Sequence, residues 1–195
     1  MLSTLTDQQI NKIGNAIIYL SKGVSELNKT KILKLLFLLE EASIKKYGHP
    51  FFGVDFQLWV RGPVLKDIFI DLSEDTQELL KEYVKKVDYD NSLFEAKKDF
   101  CDDEFSDNDI DIMNLVIKFV KNKNASDLVK HAHDDNSLWK KSAIKSGIYE
   151  DLIKEKVRST EELIDFSLLF NEENFLKEKY ENAKENLEFI KHIKG

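Results

Sequence analysis

The chain has 195 residues, 42% of them hydrophobic, and a formal net charge of -7, which fits one globular domain and excludes a largely disordered protein. The acidic balance argues against a basic face for nucleic acid, and it favours a basic protein partner. One cysteine, Cys101, excludes a disulfide framework and a cysteine-rich zinc site, and the N-terminus lacks signal-peptide features, so we expect a cytoplasmic protein without a membrane span.

Two helices are predicted in the first quarter of the chain. Asp7–Ser21 has apolar residues at helical spacing, preceded by a threonine that can cap the helix. Between Ile32 and Leu39 only Lys34 is polar, and a helix this apolar must lie in the middle of a core. Asn28 or Thr30 is expected to cap the start of this central helix.

Glycine and proline mark both the end of the central helix and the end of the strand after it. Gly48 is expected to end the helix in a left-handed conformation, and Pro50 follows two residues later. Residues 54–61 alternate apolar and polar side chains, which predicts a half-buried strand. Because proline lacks an N–H, we expect Gly62-Pro63 to stop that strand and Pro63 to begin the next helix.

The region after that helix gives one firm prediction and one open question. A start signal at Ser73–Thr76 and an apolar stripe that ends at Val87 predict another helix. Residues 88–104 fit either a short strand at Leu93-Phe94, behind an Asp90-Asn91 turn, or an acidic loop.

Helical signals return in the second half of the chain. The predicted helices are Asp107–Lys121 after a Ser106 cap, a helix capped by Asn124, and a short helix led by Leu138 and Trp139. Ser159 and Glu162 form a capping-box pattern, which predicts a further helix at Thr160–Phe170.

The last predicted helix starts after an Asn171 cap and carries one narrow apolar seam. The seam consists of Leu176, Tyr180, Ala183, Leu187 and Ile190, spaced alternately by 4 and 3 residues. We expect so short a seam to pack on the same chain, and the alternative is a homodimer through this helix. The sequence therefore predicts a mainly α fold, a compact helical bundle with a small β element of one or two short strands and a long C-terminal helix.

Four short motifs in this sequence match the pattern of a known family. They are Lys34-Leu35-Leu36-Phe37, Gly48-His49-Pro50-Phe51, Trp59-Val60-Arg61-Gly62-Pro63-Val64, and Ala132-His133-Asp134-Asp135 followed by Trp139. Together they resemble the Panacea domain of the SocA-like antitoxin family, over about residues 5–145. The sequence departs from the family pattern at Phe37, Arg61, Ala132 and Leu138, where tyrosine, an aromatic residue, a hydroxyl residue and proline are usual.

The resemblance implies a protein-binding antitoxin that is not an enzyme and needs no cofactor. Its partner would be a protein toxin encoded by an adjacent gene. The antitoxin would neutralise the toxin by direct contact, or as an adaptor that presents it to a protease. On this interpretation residues 1–170 form the family domain, and residues 171–195 form a helix that packs on it or pairs with a second copy.

Only one cluster, formed by His131, His133, Asp134 and Asp135, has the chemistry of a metal or catalytic site. The sequence has no phosphate-binding glycine loop and no nucleophile elbow. His133-Asp134 resembles the His-Asp pair of HD-type phosphohydrolases, but His131 and His133 are two residues apart on a helix and face different directions. We therefore expect no metal site. A metal-dependent phosphohydrolase and a phage-related DNA-associated regulator stay as the alternatives.

The residues expected to contact the partner are Trp59, Arg61, Asp134, Asp135 and Trp139. Tryptophan and arginine are favoured at the centres of protein interfaces, and Trp59 lies on the polar face of its predicted strand. The alternative for Trp59, and likewise for Trp139, is that another helix covers the side chain.

Overall fold

The structure is a computed structural model that describes residues 3–88, 93–171 and 174–194. In this part of the chain the helices are α1 Asp7–Ser21, α2 Lys29–Tyr47, α3 Lys66–Ser73, α4 Asp107–Val120, α5 Ala125–Ala132, α6 Leu138–Lys145, α7 Tyr149–Ile153 and α8 Phe175–Lys194. The strands are β1 Gln57–Trp59, β2 Gly62–Val64, β3 Val84–Asp88 and β4 Leu93–Ala96. The mainly α fold with a small β element and a long C-terminal helix is confirmed.

Helix α2 lies at the centre of the hydrophobic core, as its apolar sequence predicts. Leu35, Leu36 and Leu39 have no exposed surface, and the helix contacts α1, α3, α4, α5, α8 and β2. The Asn28 side chain accepts a hydrogen bond from the backbone of Lys31 and caps the helix at its start. Gly48 ends it with φ +62°, which confirms the predicted left-handed cap.

The motif at Gly62-Pro63 belongs to a hairpin: β1 does end before it, at Trp59, but the prediction that Pro63 begins the next helix is wrong. β1 and β2 pair antiparallel with Trp59 opposite Gly62, and α3 begins only at Lys66. Gly62 has φ +98°, a conformation that lets the chain reverse at this point. Pro63 is tolerated because β2 is the edge strand of a two-stranded sheet.

Residues 160–164 run beside β1, so the helix predicted at Thr160–Phe170 is wrong. Leu58 donates a backbone hydrogen bond to Glu162, and Ile164 donates one to Phe56, each at 2.8 Å. These bonds satisfy the side of β1 that the hairpin leaves unpaired, and they outweigh a local capping pattern. The only helical part of this stretch is a 3-10 turn at Phe166–Leu169.

A turn and the strand β3 replace the helix predicted after Ser73–Thr76. The Asp71 carboxylate accepts backbone hydrogen bonds from Glu78, Leu79 and Leu80 at 2.7, 2.8 and 3.1 Å, which holds this segment in a turn. The chain then enters β3, which pairs antiparallel with β4. Of the two possibilities for residues 88–104, the strand at Leu93-Phe94 is confirmed, and the proposed Asp90-Asn91 turn lies outside the described residues.

The helices α4, α5 and α6 confirm the predictions for this half of the chain. Ser106, Asn124 and Ser137 each accept a backbone hydrogen bond three residues on and cap these helices. The short helix α7 follows Gly147 and was not predicted. Within the described ranges, no helix is long and apolar enough to cross a membrane.

Helix α8 packs on the same chain along part of its apolar seam. It begins at Phe175 and not after Asn171, with the Asn174 side chain accepting a hydrogen bond from the backbone of Leu176. Tyr180 in the seam is buried, whereas Ile190 is 46% exposed. The seam therefore contacts the core at one end and reaches the surface at the other.

Candidate partner-binding site

The β1–β2 hairpin is fixed to the central helix by a buried lysine. Lys34 of α2 is 3% exposed, and its Nζ donates a hydrogen bond of 2.8 Å to the Pro63 carbonyl oxygen. A Cβ at Gly62 would lie 3.0 Å from both Lys34 Nζ and the Ala132 side chain. The glycine therefore supplies both the turn conformation and the space in which α2, α5 and the hairpin meet.

Two aromatic side chains, one at the end of α5 and one in α6, contact the backbone of the hairpin. His133 places Nε2 3.0 Å from the Val60 carbonyl oxygen and Nδ1 2.7 Å from the Val129 carbonyl oxygen. Trp139 donates a 3.0 Å hydrogen bond from Nε1 to the Trp59 carbonyl oxygen. The two motifs that are about 75 residues apart in sequence therefore share one rigid junction.

The predicted contact residues differ in how much of each is exposed. Trp139 is 1% exposed, so its ring is a core element and is not available to a partner. Trp59 is half-buried; its ring centroid lies 4.8 Å from that of Phe69 on α3, and its Nε1 donates to Gln57 Oε1 at 3.0 Å. Arg61, at the tip of the hairpin, is exposed.

The loop beside the hairpin carries two exposed carboxylates. Asp134 lies 3.0 Å from His131 Nδ1, and Asp135 forms a 2.7 Å ion pair with Lys140. The hydrogen bond from Lys140 lowers the pKa of Asp135, which keeps this carboxylate charged. We call the surface formed by residues 59–62 and 133–137 the hairpin–loop patch.

The histidines of this region do not form a metal site in the structure. His131 and His133 make separate contacts, as their spacing predicts. Both ring nitrogens of His133 face carbonyl oxygens, so neither directs a lone pair at a cation. Among the residues described, no three His, Cys, Asp or Glu side chains are grouped closely enough to hold a metal ion.

A groove of about 350 Å³ opens next to the hairpin–loop patch, between α2, α4, α5 and α6. Apolar side chains, including Phe37, Leu38 and Phe119, form most of its walls, and Lys34 also lines it. Burial lowers the pKa of Lys34 to about 7. We call this feature the Lys34 groove. This groove is not evident from the sequence, because its walls come from four helices and the only local signal is one lysine in an apolar run.

Six residues after Lys34 on α2, a buried carboxylate fixes the turn that contains the Gly48–Phe51 motif. Glu40 is 1% exposed and accepts backbone hydrogen bonds from Phe52 at 2.7 Å and from Gly53 at 3.3 Å. Burial raises the pKa of Glu40 to about 7, although the two hydrogen bonds act in the opposite direction. Pro50 is buried in this turn. Glu40 was not singled out from the sequence, because glutamate is normal on a helix surface.

These contacts define a mainly α-helical domain in which a hairpin and two motif-bearing turns are fixed to one buried helix. The family model described as "Antitoxin SocA-like, Panacea domain" matches residues 32–140, which is more than half of the chain. The chain belongs to this family, as its motifs indicated, and the match relates it to toxin–antitoxin function. Comparisons with curated proteins and with solved structures returned no match.

Proposed function

We propose that this protein is an antitoxin that neutralises a protein toxin by direct contact through the hairpin–loop patch. The observation that carries the proposal is the junction built by His133 and Trp139, because it ties the backbone next to Arg61 to the residues on either side of the exposed Asp134-Asp135 pair. A surface held by hydrogen bonds to the backbone loses little conformational entropy when a partner binds, which favours affinity.

The side chains of the patch fit a protein partner. Arg61 is exposed and can make bidentate hydrogen bonds to a carboxylate, while Asp134 and Asp135 can pair with basic residues. The formal net charge of -7 also favours association with a basic protein. The half-buried Trp59 would add apolar contact at the edge of the patch.

The proposal includes the source of the toxin and the division of the chain. We expect the toxin to be encoded by an adjacent gene, and residues 1–170 to contain the toxin-binding unit. The helix at 171–195 would then pack on this unit, while its exposed Phe189 and Ile190 leave pairing with a second copy as the alternative.

Co-expression tests this function. The product of the adjacent gene is expressed alone and together with this chain, and growth of the host is measured. We expect growth arrest by the product alone, rescue by co-expression, and co-purification of the two proteins. A harmless neighbouring product that does not bind the chain would contradict the proposal.

The mode of neutralisation needs a second measurement. Direct contact predicts that rescue persists in a host lacking its ATP-dependent proteases, with an unchanged amount of toxin. An adaptor that presents the toxin for degradation predicts a rapid fall in toxin level during rescue, and loss of rescue in that host.

A further inference from the structure

The Lys34 groove has walls that are mainly apolar and one buried cationic side chain. Phe37 and Leu38 of α2 form one wall, and Leu115 and Phe119 of α4 form another. Leu115 and Phe119 are 45% and 39% exposed, so the groove is open to solvent on the α4 side. We propose that this groove binds a small carboxylate with an apolar body, whose carboxylate group accepts a hydrogen bond from Lys34 Nζ.

The hydrogen bonding of Lys34 leaves room for such a ligand. A lysine ammonium group has three N–H donors, and the structure describes one hydrogen bond from Lys34, to the Pro63 carbonyl oxygen. A carboxylate can therefore take a second donor without displacing the hairpin. Burying a charged amine is costly unless it is paired, and a ligand carboxylate supplies the missing pair.

The size and the surroundings of the groove favour a small molecule over a larger segment of a partner. Its volume of about 350 Å³ is at the lower end of the range for small-molecule sites. Glu41, Lys45, His131 and Asp134 also line it and carry both signs of charge. Burial raises the pKa of Glu41, which favours its neutral form and reduces its repulsion of a ligand carboxylate.

This site is independent of the toxin, so the proposal stands or falls separately from the proposed function. The purified chain is titrated calorimetrically with 4-phenylbutyrate. A second titration uses 4-phenyl-1-butanol, which has the same apolar phenylbutyl group but no charge. We expect saturable binding of the acid, and binding of the alcohol at least about ten-fold weaker, a difference of about 1.4 kcal/mol.

Three variants separate a specific site from general hydrophobic binding. Lys34→Met should weaken binding of the acid at least about ten-fold. Lys31→Met is the matched control, because Lys31 is also buried on α2 and donates a hydrogen bond to the Ser25 carbonyl oxygen, but does not line the groove. The affinity of this variant for the acid should match that of the wild type. If Lys34→Met does not fold, Leu115→Glu tests the same groove at an exposed position.

Proton exchange gives a second readout. A bound carboxylate stabilises the charged form of Lys34, whose pKa in the free protein is about 7. At pH 8 we therefore expect binding to take up close to one proton, and at pH 6 much less. This uptake is measured by calorimetric titration in buffers that differ in their enthalpy of ionisation. Glu41→Gln should keep this uptake.

The proposal is overturned if the alcohol binds as tightly as the acid, or if Lys34→Met and Leu115→Glu bind as the wild type does. Failure to saturate at low millimolar acid would also overturn it. None of these outcomes affects toxin neutralisation, which the co-expression experiment measures.

Discussion

Lys34 and Glu40, two buried ionisable side chains six residues apart on α2, differ in how much of their hydrogen-bonding capacity is left unused. Glu40 accepts two backbone hydrogen bonds from the turn after the helix, so its role is to fix that turn. Lys34 makes one described hydrogen bond, to Pro63, and lines an open groove. The difference indicates that Glu40 is structural, while Lys34 supports the hairpin turn and keeps donors free for the proposed ligand.

Removal of Glu40 should give the largest loss of stability, because it leaves the N–H groups of Phe52 and Gly53 without their acceptor. We expect Glu40→Ala to cost about 3 kcal/mol, measured by urea unfolding. Glu41→Ala is the control, since it removes a neighbouring carboxyl for which no hydrogen bond to the backbone is described. A loss as large in Glu41→Ala would contradict a special role for Glu40.

The two buried charges should also give opposite dependences of stability on pH. The folded-state pKa of Glu40 is raised from 4.5 to about 7, so the native state binds more protons and stability falls as pH rises between those values. The folded-state pKa of Lys34 is lowered from 10.5 to about 7, so the unfolded state binds more protons and stability rises as pH increases from 7.

Each group can contribute a slope of up to about 1.4 kcal/mol per pH unit. Urea unfolding from pH 5 to pH 9 should therefore show that Glu40→Gln flattens the falling part and Lys34→Met flattens the rising part. If either variant keeps the wild-type profile, the burial of that charge is not the cause of the pH dependence.

A matched pair of glycines tests how tightly the β1–β2 hairpin packs against Lys34. Gly62 and Gly147 both have positive φ, +98° and +73°, but a Cβ at Gly62 meets Lys34 and Ala132 at 3.0 Å, whereas one at Gly147 meets nothing within 4 Å. We expect Gly62→Ala to cost about 2–3 kcal/mol, and Gly147→Ala about 1 kcal/mol from backbone strain alone. Equal losses, measured by thermal unfolding, would show that the close approach at Gly62 contributes nothing.

Local sequence signals were sufficient for the parts of the fold that are locally determined. The apolar run of α2, its Asn28 cap and its Gly48 end follow from neighbouring residues, and each was predictable. The segments predicted wrongly, 73–87 and 160–170, take their conformation from distant partners. Asp71 holds a turn seven to nine residues away, and β1 recruits residues 162–164 from about 100 residues later.

The candidate site shows the same limit. The motif residues Trp59, Arg61 and Asp134 could be selected from the sequence as contact candidates, but their proximity depends on hydrogen bonds across about 75 residues. Burial of Trp139 was not evident either, because a tryptophan that starts a helix after a polar loop fits a surface position equally well. The Lys34 groove needed the arrangement of four helices.

The most direct test of the proposed contact surface is the affinity of the purified chain for the toxin from the adjacent gene, after charge reversal at the patch. Arg61→Glu and Asp135→Lys change exposed side chains, and Lys179→Glu is the control on the exposed face of α8. We predict that each patch variant weakens binding at least about ten-fold, with thermal stability unchanged, and that Lys179→Glu binds within about two-fold of the wild type. Wild-type affinity in both patch variants would show that the toxin binds elsewhere.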